Sequence, residues 1–289
     1  MQRICHAVTT KFPDLKFIGL CHEIKSMNRQ LPDLMETEMH NIEFRAAGLN
    51  HLSILLEARY KNTGKDGYPI IKQNFDAYFS DLVNKHDAKP SKPGAERGVF
   101  RKIFKTYGYL PITTDSHLGE YIQWAYSVAD HDAILDFYDN YKEKCLAFYD
   151  NKTSYDHYFD LKNLDTHERV VPIIEGILSD SAYEEPAINI PNNGYIECLP
   201  KDIVVEVPGI INKSGISGIS FKNYPAAFGS LLNSQSGVIQ MTTDAVLNAS
   251  KHSAYLALLA DPVVNDSYQA EKLLNNMLET QGKFLYYLK

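Results

Sequence analysis

The chain has 289 residues, of which 44% are hydrophobic, so it can bury the core of one large domain or of two small ones. The formal net charge at pH 7 is −7, and the sequence contains no basic cluster. This charge balance excludes nucleic acid and anionic membrane surfaces as expected partners.

The cysteine pattern and the hydropathy indicate the cellular compartment of the protein. Four cysteines are scattered without CxxC spacing, which indicates a reduced protein without structural disulfides. No apolar run approaches the roughly 18 residues that span a bilayer, and the first residues lack the charged and apolar regions of a signal peptide. We therefore predict a cytoplasmic protein.

The apolar positions of the first 60 residues predict both helices and strands. In chain order, these are a helix over 1–12, a buried strand over 16–21, a weak helix over 26–38 and extended segments over 42–48 and 49–60. The run Lys-Asn-Thr-Gly-Lys-Asp-Gly at 61–67 is a rich turn signal before residues 68–71, and it predicts a β-hairpin there.

Between residues 70 and 121, two helical faces precede a polar loop. Apolar spacing predicts helices over 70–83 and 99–107, with a loop over 88–94 that contains two prolines. Glycine and proline then predict a loop over 108–121, which carries Asp115, His117 and Glu120. Loops of this type carry function more often than helices do, although most polar loops are only solvated turns.

The second half of the chain mixes strands and helices. In order, the pattern predicts a long amphipathic helix over 130–150, a polar loop over 151–165, a short helix over 169–178, strands within 187–211 around a turn at 191–194, and helices over 226–260 and 266–287. No regular βαβ alternation and no Gly-x-Gly-x-x-Gly after a strand is present. The predicted fold class is therefore α+β, without a dinucleotide fingerprint.

Two strand-like runs end in side chains that can bind metal. Gly-Leu-Cys-His ends at Cys21 and His22, and Ala-Ala-Gly-Leu-Asn-His ends at His51. A strand delivers such groups to the rim of a sheet, where an open α/β site normally lies. From composition alone, Cys21 as a buried small hydrophobe and His51 as a core histidine are the more common alternatives.

These two segments, thirty residues apart, and the later Pro-Asn-Asn-Gly-Tyr-Ile at 191–196 resemble glycoside hydrolase family 4. The resemblance implies cleavage of α-glycosides with NAD and a divalent metal, usually manganese, instead of a pair of carboxylates. It also implies the C-terminal, substrate-binding half of a lactate/malate dehydrogenase-like architecture. Residues 1–289 would then be the catalytic and metal-binding domain of a homo-oligomer, and we expect the Rossmann NAD-binding half upstream of Met1 to be missing.

The resemblance assigns roles to four residues of these two segments. Cys21 and His51 would be the protein ligands of Mn²⁺ or another first-row divalent ion. His22 lies where the family places the residue that protonates the leaving group, which an imidazole can do near neutral pH. Asn50 would hold a sugar hydroxyl.

The same resemblance assigns roles in the 108–121 segment. Asp115 would be the base that removes the C2 proton after oxidation at C3, and His117 would hold substrate or orient that carboxylate. The structural alternatives are that Asp115 caps the following turn and that His117 is solvated.

The residues after Cys21 bear on the substrate. Cys-His-Glu-Ile at 21–24 resembles the sequence of family members that act on α-galacturonides, whereas α-galactosidases of the family have Cys-His-Ser-Val. An α-galacturonide is therefore the predicted substrate. An α-galactosidase or α-glucosidase of the same family is the alternative. A uronic acid needs a cation for its carboxylate. Arg45 or Arg97 could bind it bidentately, and Lys25 could also supply the charge.

Two function classes compete with this prediction. A catalytically silent module that binds sugar or metal, and that docks onto a separate NAD-binding partner, fits the same residues. An ordinary two-carboxylate hydrolase is the weaker alternative, because the sequence gives no identifiable carboxylate pair.

Overall fold

The described part of the chain is built on an antiparallel five-stranded sheet. The computed structural model describes residues 1–85, 97–150 and 169–289. The strands are β1 (Ile42–Leu49), β2 (Leu52–Tyr60), β3 (Tyr183–Pro191), β4 (Val204–Asn212) and β5 (Gly215–Gly218). They run in the order β2-β1-β4-β3, with β5 also paired to β4. Helices and antiparallel strands without βαβ units confirm the predicted α+β class.

Helices precede, interrupt and follow the sheet. They are α1 (Gln2–Lys11), α2 (Ser26–Met35), α3 (Tyr68–Lys85), α4 (Gly98–Tyr107), α5 (Asp115–Gly119), α6 (His131–Asp150), α7 (Val170–Ser179), α8 (Ala226–Leu247), α9 (Lys251–Ala260), α10 (Ser267–Thr280) and α11 (Gly282–Leu285). These bounds confirm the predicted helices, except that the stretch over 226–260 divides into α8 and α9 and the stretch over 266–287 divides into α10 and α11. The predicted loop over 108–121 was wrong in part, because it contains the short helix α5. The predicted loops over 88–94 and 151–165 lie outside the described residues.

The hairpin prediction was wrong in its position. The segment after the glycine-rich run is helical, because Tyr68 begins α3, and the hairpin instead joins β1 to β2 through Asn50 and His51. The glycine-rich run is a turn that folds back on β2 through an antiparallel bridge between Arg59 and Asp66, but it leads into a helix rather than a second strand. The predicted strand over 16–21 is reduced to one bridge, in which Gly19 and Asn189 exchange two backbone hydrogen bonds of 3.0 and 2.8 Å.

Both faces of the middle of the sheet are covered. The first six residues of β4, from Val204 to Gly209, are all buried, as is the end of β1 from Ala46 to Leu49. Such a strand reads as a continuous apolar run rather than an alternating one, which is the pattern of 203–207. A charged side chain in this part of the sheet must therefore be satisfied by protein groups.

Two further observations concern the prediction of location. All four cysteines lie in the described part, and none of them forms a disulfide. Among the described helices, none has the length and apolar character needed to cross a membrane.

Candidate active site and metal centre

The turn between β1 and β2 positions Asn50 and His51. The two strands stay paired up to Leu49 and Leu52, so these two residues alone make the turn. Gly48 allows the tight approach, since a Cβ there would lie 2.4 Å from the Leu52 carbonyl oxygen. His51 has a left-handed backbone, with φ of 64°, which is uncommon for a residue other than glycine. The fold thus presents His51 at a strained point of the chain.

The segment of Cys21 reaches the same region from another direction. The Gly19–Asn189 bridge fixes Gly19 alongside β3, and a short 3-10 helix begins at Glu23. Cys21 is half-buried, whereas the His22 side chain is 57% exposed and its Nε2 lies 3.7 Å from Glu23 Oε1. Cys21 and His22 line a cleft whose far side includes Glu184 and Glu185.

A buried carboxylate, Glu206 on β4, lies behind the hairpin turn. It is only 2% exposed. Its Oε2 accepts hydrogen bonds from Asn50 Nδ2 at 2.8 Å and from Asn189 Nδ2 at 3.0 Å, and its Oε1 accepts one from Ser53 Oγ at 3.3 Å. Burial raises the pKa of Glu206, and these three hydrogen bonds oppose the rise. Glu206 therefore fixes the orientation of the Asn50 amide.

Sequence reasoning missed Glu206. The signal was present, since Glu206 stands between Val205 and Val207 in a run otherwise typical of a buried strand. A carboxylate at such a position is rarely buried unless it is paired or hydrogen-bonded.

The electrostatics around Cys21 disfavour its thiolate. Burial raises the pKa of the Cys21 thiol to about 11, and the nearby charge of Glu206 adds to the rise, while a hydrogen bond from Asn50 opposes it. Without a metal ion the sulfur is therefore protonated at neutral pH. Metal binding at Cys21 has to displace that proton.

A second cluster joins the hairpin turn to α5. The rings of His51 and His117 have centroids 4.1 Å apart, and His117 Nδ1 lies 3.5 Å from Glu120 Oε1. Burial lowers the pKa of His51, and the neighbouring His117 lowers it further. One ligand atom from each of His51, His117 and Glu120 lies within 4.8 Å of the other two. The structure thus brings the predicted residues His51 and His117 together.

Asp115 has a well-defined structural contact. Its side chain is fully buried, and its two oxygens accept hydrogen bonds from the backbone N–H groups of Val99 and Phe100, at 2.8 and 2.9 Å. These are donors of the first turn of α4, which have no partner within the helix. Burial raises the pKa of Asp115, and these bonds oppose the rise. The geometry favours the capping alternative, although the capped helix is α4 rather than the following turn, and the role of base stays a prediction.

The guanidinium groups suggested for a substrate carboxylate already contact protein acceptors. Arg45 donates to both oxygens of Glu184, from Nε at 2.9 Å and from Nη2 at 2.8 Å, and Nη1 lies 3.4 Å from Glu57 Oε2. Arg97 donates to the Thr113 carbonyl oxygen at 3.2 Å. Substrate binding by Arg45 would require it to leave a bidentate ion pair, so its predicted role is not supported by this arrangement.

Comparison with protein families matches residues 46–264 to the C-terminal domain of family 4 glycosyl hydrolases. An alpha-glucosidase of Erwinia rhapontici is 40% identical over 314 aligned positions, which cover 100% of this chain and 67% of that protein. An alpha-galacturonidase of Thermoanaerobacterium saccharolyticum is 28% identical, with 95% and 62% covered, and an alpha-galactosidase of Bacillus subtilis is 27% identical, with 87% and 56% covered. The chain thus spans 56–67% of the length of these relatives.

Solved structures are similar to this fold along nearly the whole chain. A 6-phospho-alpha-glucosidase from gut microorganisms, solved in complex with NAD and Mn²⁺, superposes with a TM-score of 0.77 at 19% identity, covering 98% of this chain and 65% of that one. The lplD protein of Bacillus subtilis gives a TM-score of 0.75 at 22% identity, covering 96% of this chain and 66% of that one. At these identities the likeness concerns the fold.

Proposed function

The chain belongs to glycosyl hydrolase family 4, and from that membership we propose that it carries the sugar- and metal-binding site of an α-glycosidase. The observation that supports this proposal most directly is the hairpin turn. It places Asn50 against Glu206 and beside Cys21, and it places His51 against His117. The residues that the family resemblance singled out in two distant segments therefore meet around one turn.

The donor set fits a first-row divalent ion. Cys21 offers a thiol, His51 an imidazole whose lowered pKa keeps it neutral, and both are only partly buried. Mixed sulfur and nitrogen ligation, completed by sugar oxygens, suits Mn²⁺ or a similar ion better than Ca²⁺. When bound, the metal ion would supply Lewis-acid stabilisation of charge on the sugar oxygens, and NAD would supply hydride chemistry.

The described residues do not fit a dinucleotide site. Their sheet is antiparallel throughout, so it lacks the parallel βαβ unit and glycine-rich turn that bind a pyrophosphate. We therefore assign no described residue to NAD. The dependence on NAD is proposed for the whole protein, on the model of the relatives solved with it.

The chain's own residues would bind the sugar and move protons. Asn50 uses Nδ2 to bond Glu206, which leaves Oδ1 to accept a hydrogen bond from a sugar hydroxyl. His22, exposed at the mouth of the cleft beside Cys21, would donate the proton that the leaving group needs. Asp115, whose two oxygens accept backbone hydrogen bonds at the start of α4, is the proposed base.

An α-glucoside is the substrate that the observations favour. The relative with 40% identity is an alpha-glucosidase, and the relatives named for galacturonide or galactose are more distant. The surroundings of the hairpin turn are acidic, with Glu23, Glu120 and Glu206, and Arg45 is held by Glu184. A neutral sugar avoids the repulsion that a uronate would meet there. The α-galacturonide, supported by the Cys-His-Glu-Ile sequence and by the relatives of that name, is the second candidate.

The test is a substrate comparison on the complete gene product. Aryl α-glucoside, α-galactoside and α-galacturonide are assayed with NAD⁺ and Mn²⁺, and again after EDTA treatment and after removal of NAD⁺. We expect the glucoside to have the highest kcat/KM and activity to require both additions. Turnover that survives removal of both would contradict the proposal and would favour a carboxylate-pair hydrolase. Binding of sugar and Mn²⁺ without any turnover would support the silent module.

The expected homo-oligomer has one supporting observation. Helix α6 presents large apolar side chains to solvent, including Leu135 at 62% and Tyr141 at 60% exposure. Surfaces of this kind often belong to protein interfaces. We propose that the complete protein is an oligomer, which sedimentation equilibrium measures directly.

A further inference from the structure

We propose that the cleft beside Cys21 and His22 binds the leaving group of the substrate, and that its walls select a second sugar over an aryl group. This inference rests on the proposed function and deepens it, because it narrows the substrate to an α-linked disaccharide. It assigns leaving-group specificity to Arg169 and Asn28, to which the proposed reaction gives no role.

The cleft opens where two segments of the chain diverge. The bridge between Gly19 and Asn189 holds the Cys21 segment against β3. Beyond the bridge, residues 20–25 form one wall and residues 184–187 of β3 form the other. The exposed His22 lies at the mouth, so a leaving group that takes its proton from His22 departs into this cleft.

The size of the cleft suits one sugar ring. Its volume is about 220 Å³. Sites for drug-sized ligands have volumes of roughly 300–1,000 Å³. The cleft therefore has room for one further sugar unit rather than for a longer chain.

A buried ion pair gives the cleft fixed polar groups. Glu185 is 3% exposed, and its Oε2 accepts hydrogen bonds from Arg169 Nε at 2.8 Å and from the Tyr183 hydroxyl at 3.1 Å. The guanidinium has several N–H donors besides Nε, and Glu185 Oε1 has lone pairs of its own. Both residues line the cleft, so it offers donors and an acceptor side by side. A sugar hydroxyl, which donates and accepts, matches this pair, whereas an aryl ring matches neither group.

The charges in the wall favour a neutral polar ligand. Glu184 also lines the cleft, and both of its oxygens accept hydrogen bonds from Arg45. Each of the two carboxylates in the wall is therefore matched by an arginine. Lys25 adds a further donor, which a hydroxyl oxygen can accept.

An apolar surface completes the cleft. Phe44 and Pro186 are half-buried and line it together with Asn28, which lies in the first turn of α2. The Asn28 amide both donates and accepts. A sugar ring carries hydroxyls at its rim and C–H groups on its faces, so it can use the polar and apolar groups at once. Walls of this mixed kind are typical of small-molecule sites.

The test compares leaving groups in the complete gene product with NAD⁺ and Mn²⁺. The substrates are a panel of α-linked glucosyl disaccharides that includes maltose, and para-nitrophenyl α-glucoside, whose leaving group is aryl. The site variants are Arg169→Met and Asn28→Ala, and the matched controls are the exposed Arg29→Met on α2 and Asn276→Ala on α10. Arg169→Met should lower the disaccharide kcat/KM at least about tenfold and Asn28→Ala about threefold, because each removes a hydrogen-bond partner of a sugar hydroxyl. Both controls, and both site variants with the aryl glucoside, should stay within about twofold of wild type.

Folding and binding are measured separately. Arg169→Lys keeps a cationic donor and should recover part of the disaccharide activity, and thermal unfolding verifies that each variant is folded. Titration calorimetry with maltose, after removal of NAD⁺, should show the same order of affinities without turnover. Equal losses on disaccharide and aryl glucoside, or wild-type values on both in the two site variants, would overturn the inference and leave the proposed function in place. Absence of turnover of every glycoside would overturn the proposed function, and the calorimetry would then decide whether the cleft binds sugar.

Discussion

Asp115→Ala separates a structural role of this carboxylate from a catalytic one. Both Asp115 oxygens accept backbone hydrogen bonds, from Val99 at 2.8 Å and from Phe100 at 2.9 Å, inside a fully buried environment. Alanine removes both acceptors and leaves two donors of the first turn of α4 buried without a partner. Such donors cost their full desolvation energy.

The magnitude follows from these two bonds. Loss of an N-terminal helix cap costs about 0.5–2 kcal/mol in general, and hydrogen bonds to an ionised group are worth about 1.5–3 kcal/mol each. The raised pKa of Asp115 shows that burial of the charge offsets part of this gain. We therefore expect Asp115→Ala to lower the free energy of unfolding by about 2–4 kcal/mol. Asp115→Asn keeps one carbonyl acceptor and should lose about half as much.

Urea unfolding monitored by circular dichroism measures these differences, with Asp132→Ala as the matched control, because Asp132 is an exposed acid in the first turn of α6. If Asp115 is a cap, the kcat of Asp115→Asn stays near wild type under conditions where the variant is folded. An Asp115→Ala protein with wild-type stability would refute the reasoning. A stable Asp115→Asn protein without turnover would restore Asp115 as the base.

Three further changes test the site. In Glu206→Gln, the new amide oxygen can accept hydrogen bonds from Asn50 and Asn189 while its nitrogen donates to Ser53, so the free energy of unfolding should change by less than about 1 kcal/mol. Glu206→Ala leaves both amides unpaired and should lower the free energy of unfolding by about 2–4 kcal/mol. Urea unfolding compares the two variants. The folded-state pKa of His51 lies below its ordinary value of 6.5, so the unfolded chain takes up the proton first as the pH falls. The stability that neutral His51 contributes is therefore present above pH 6.5 and is lost at lower pH. In EDTA, His51→Asn should show a smaller drop in Tm below pH 6.5 than wild type. With a pKa of about 11, Cys21 without metal should be alkylated by iodoacetamide at a rate that rises roughly tenfold per pH unit between pH 8 and 10, as measured by mass spectrometry. Saturating Mn²⁺ should block this labelling. A rate that no longer rises above about pH 8 would show that the thiolate is stabilised instead.

The sequence predicted the helices well but misplaced the hairpin. Apolar spacing is local information, and it was sufficient for α3 and α4, whose buried faces repeat at helical intervals. The turn at Asn50 and His51 contains neither glycine nor proline, so the glycine-rich run at 61–67 gave the stronger local signal. What makes the turn is the pairing of β1 with β2 over residues 42–60 and the close approach of Gly48 to Leu52, and a search for turn-forming residues detects neither.

The same limit explains the site. Cys21, Asn50 and His51 were predicted because their two segments resemble a family. Glu206 was missed because its partners lie in the β1–β2 turn, on β2 and on β3, up to 156 positions away in the chain. The acceptor role of Asp115 depends on α4, which precedes it by fifteen residues, and no spacing rule connects a carboxylate to the start of an earlier helix. Contacts between elements, rather than the elements themselves, were the part that sequence did not supply.

The single bridge at Gly19 has a consequence for how this site can diversify. The segment that carries Cys21 and His22 is joined to the sheet by two backbone hydrogen bonds. Asn50, in contrast, lies in the turn that joins β1 to β2, and Glu206 lies on β4, and these strands are paired over many residues. The exposed side chain of His22 can therefore change with little cost to the sheet. Glu206 can change only to a residue that still accepts hydrogen bonds from Asn50 and Asn189. The pairing of the sheet therefore constrains the sequence around His22 far less than the sequence around Glu206.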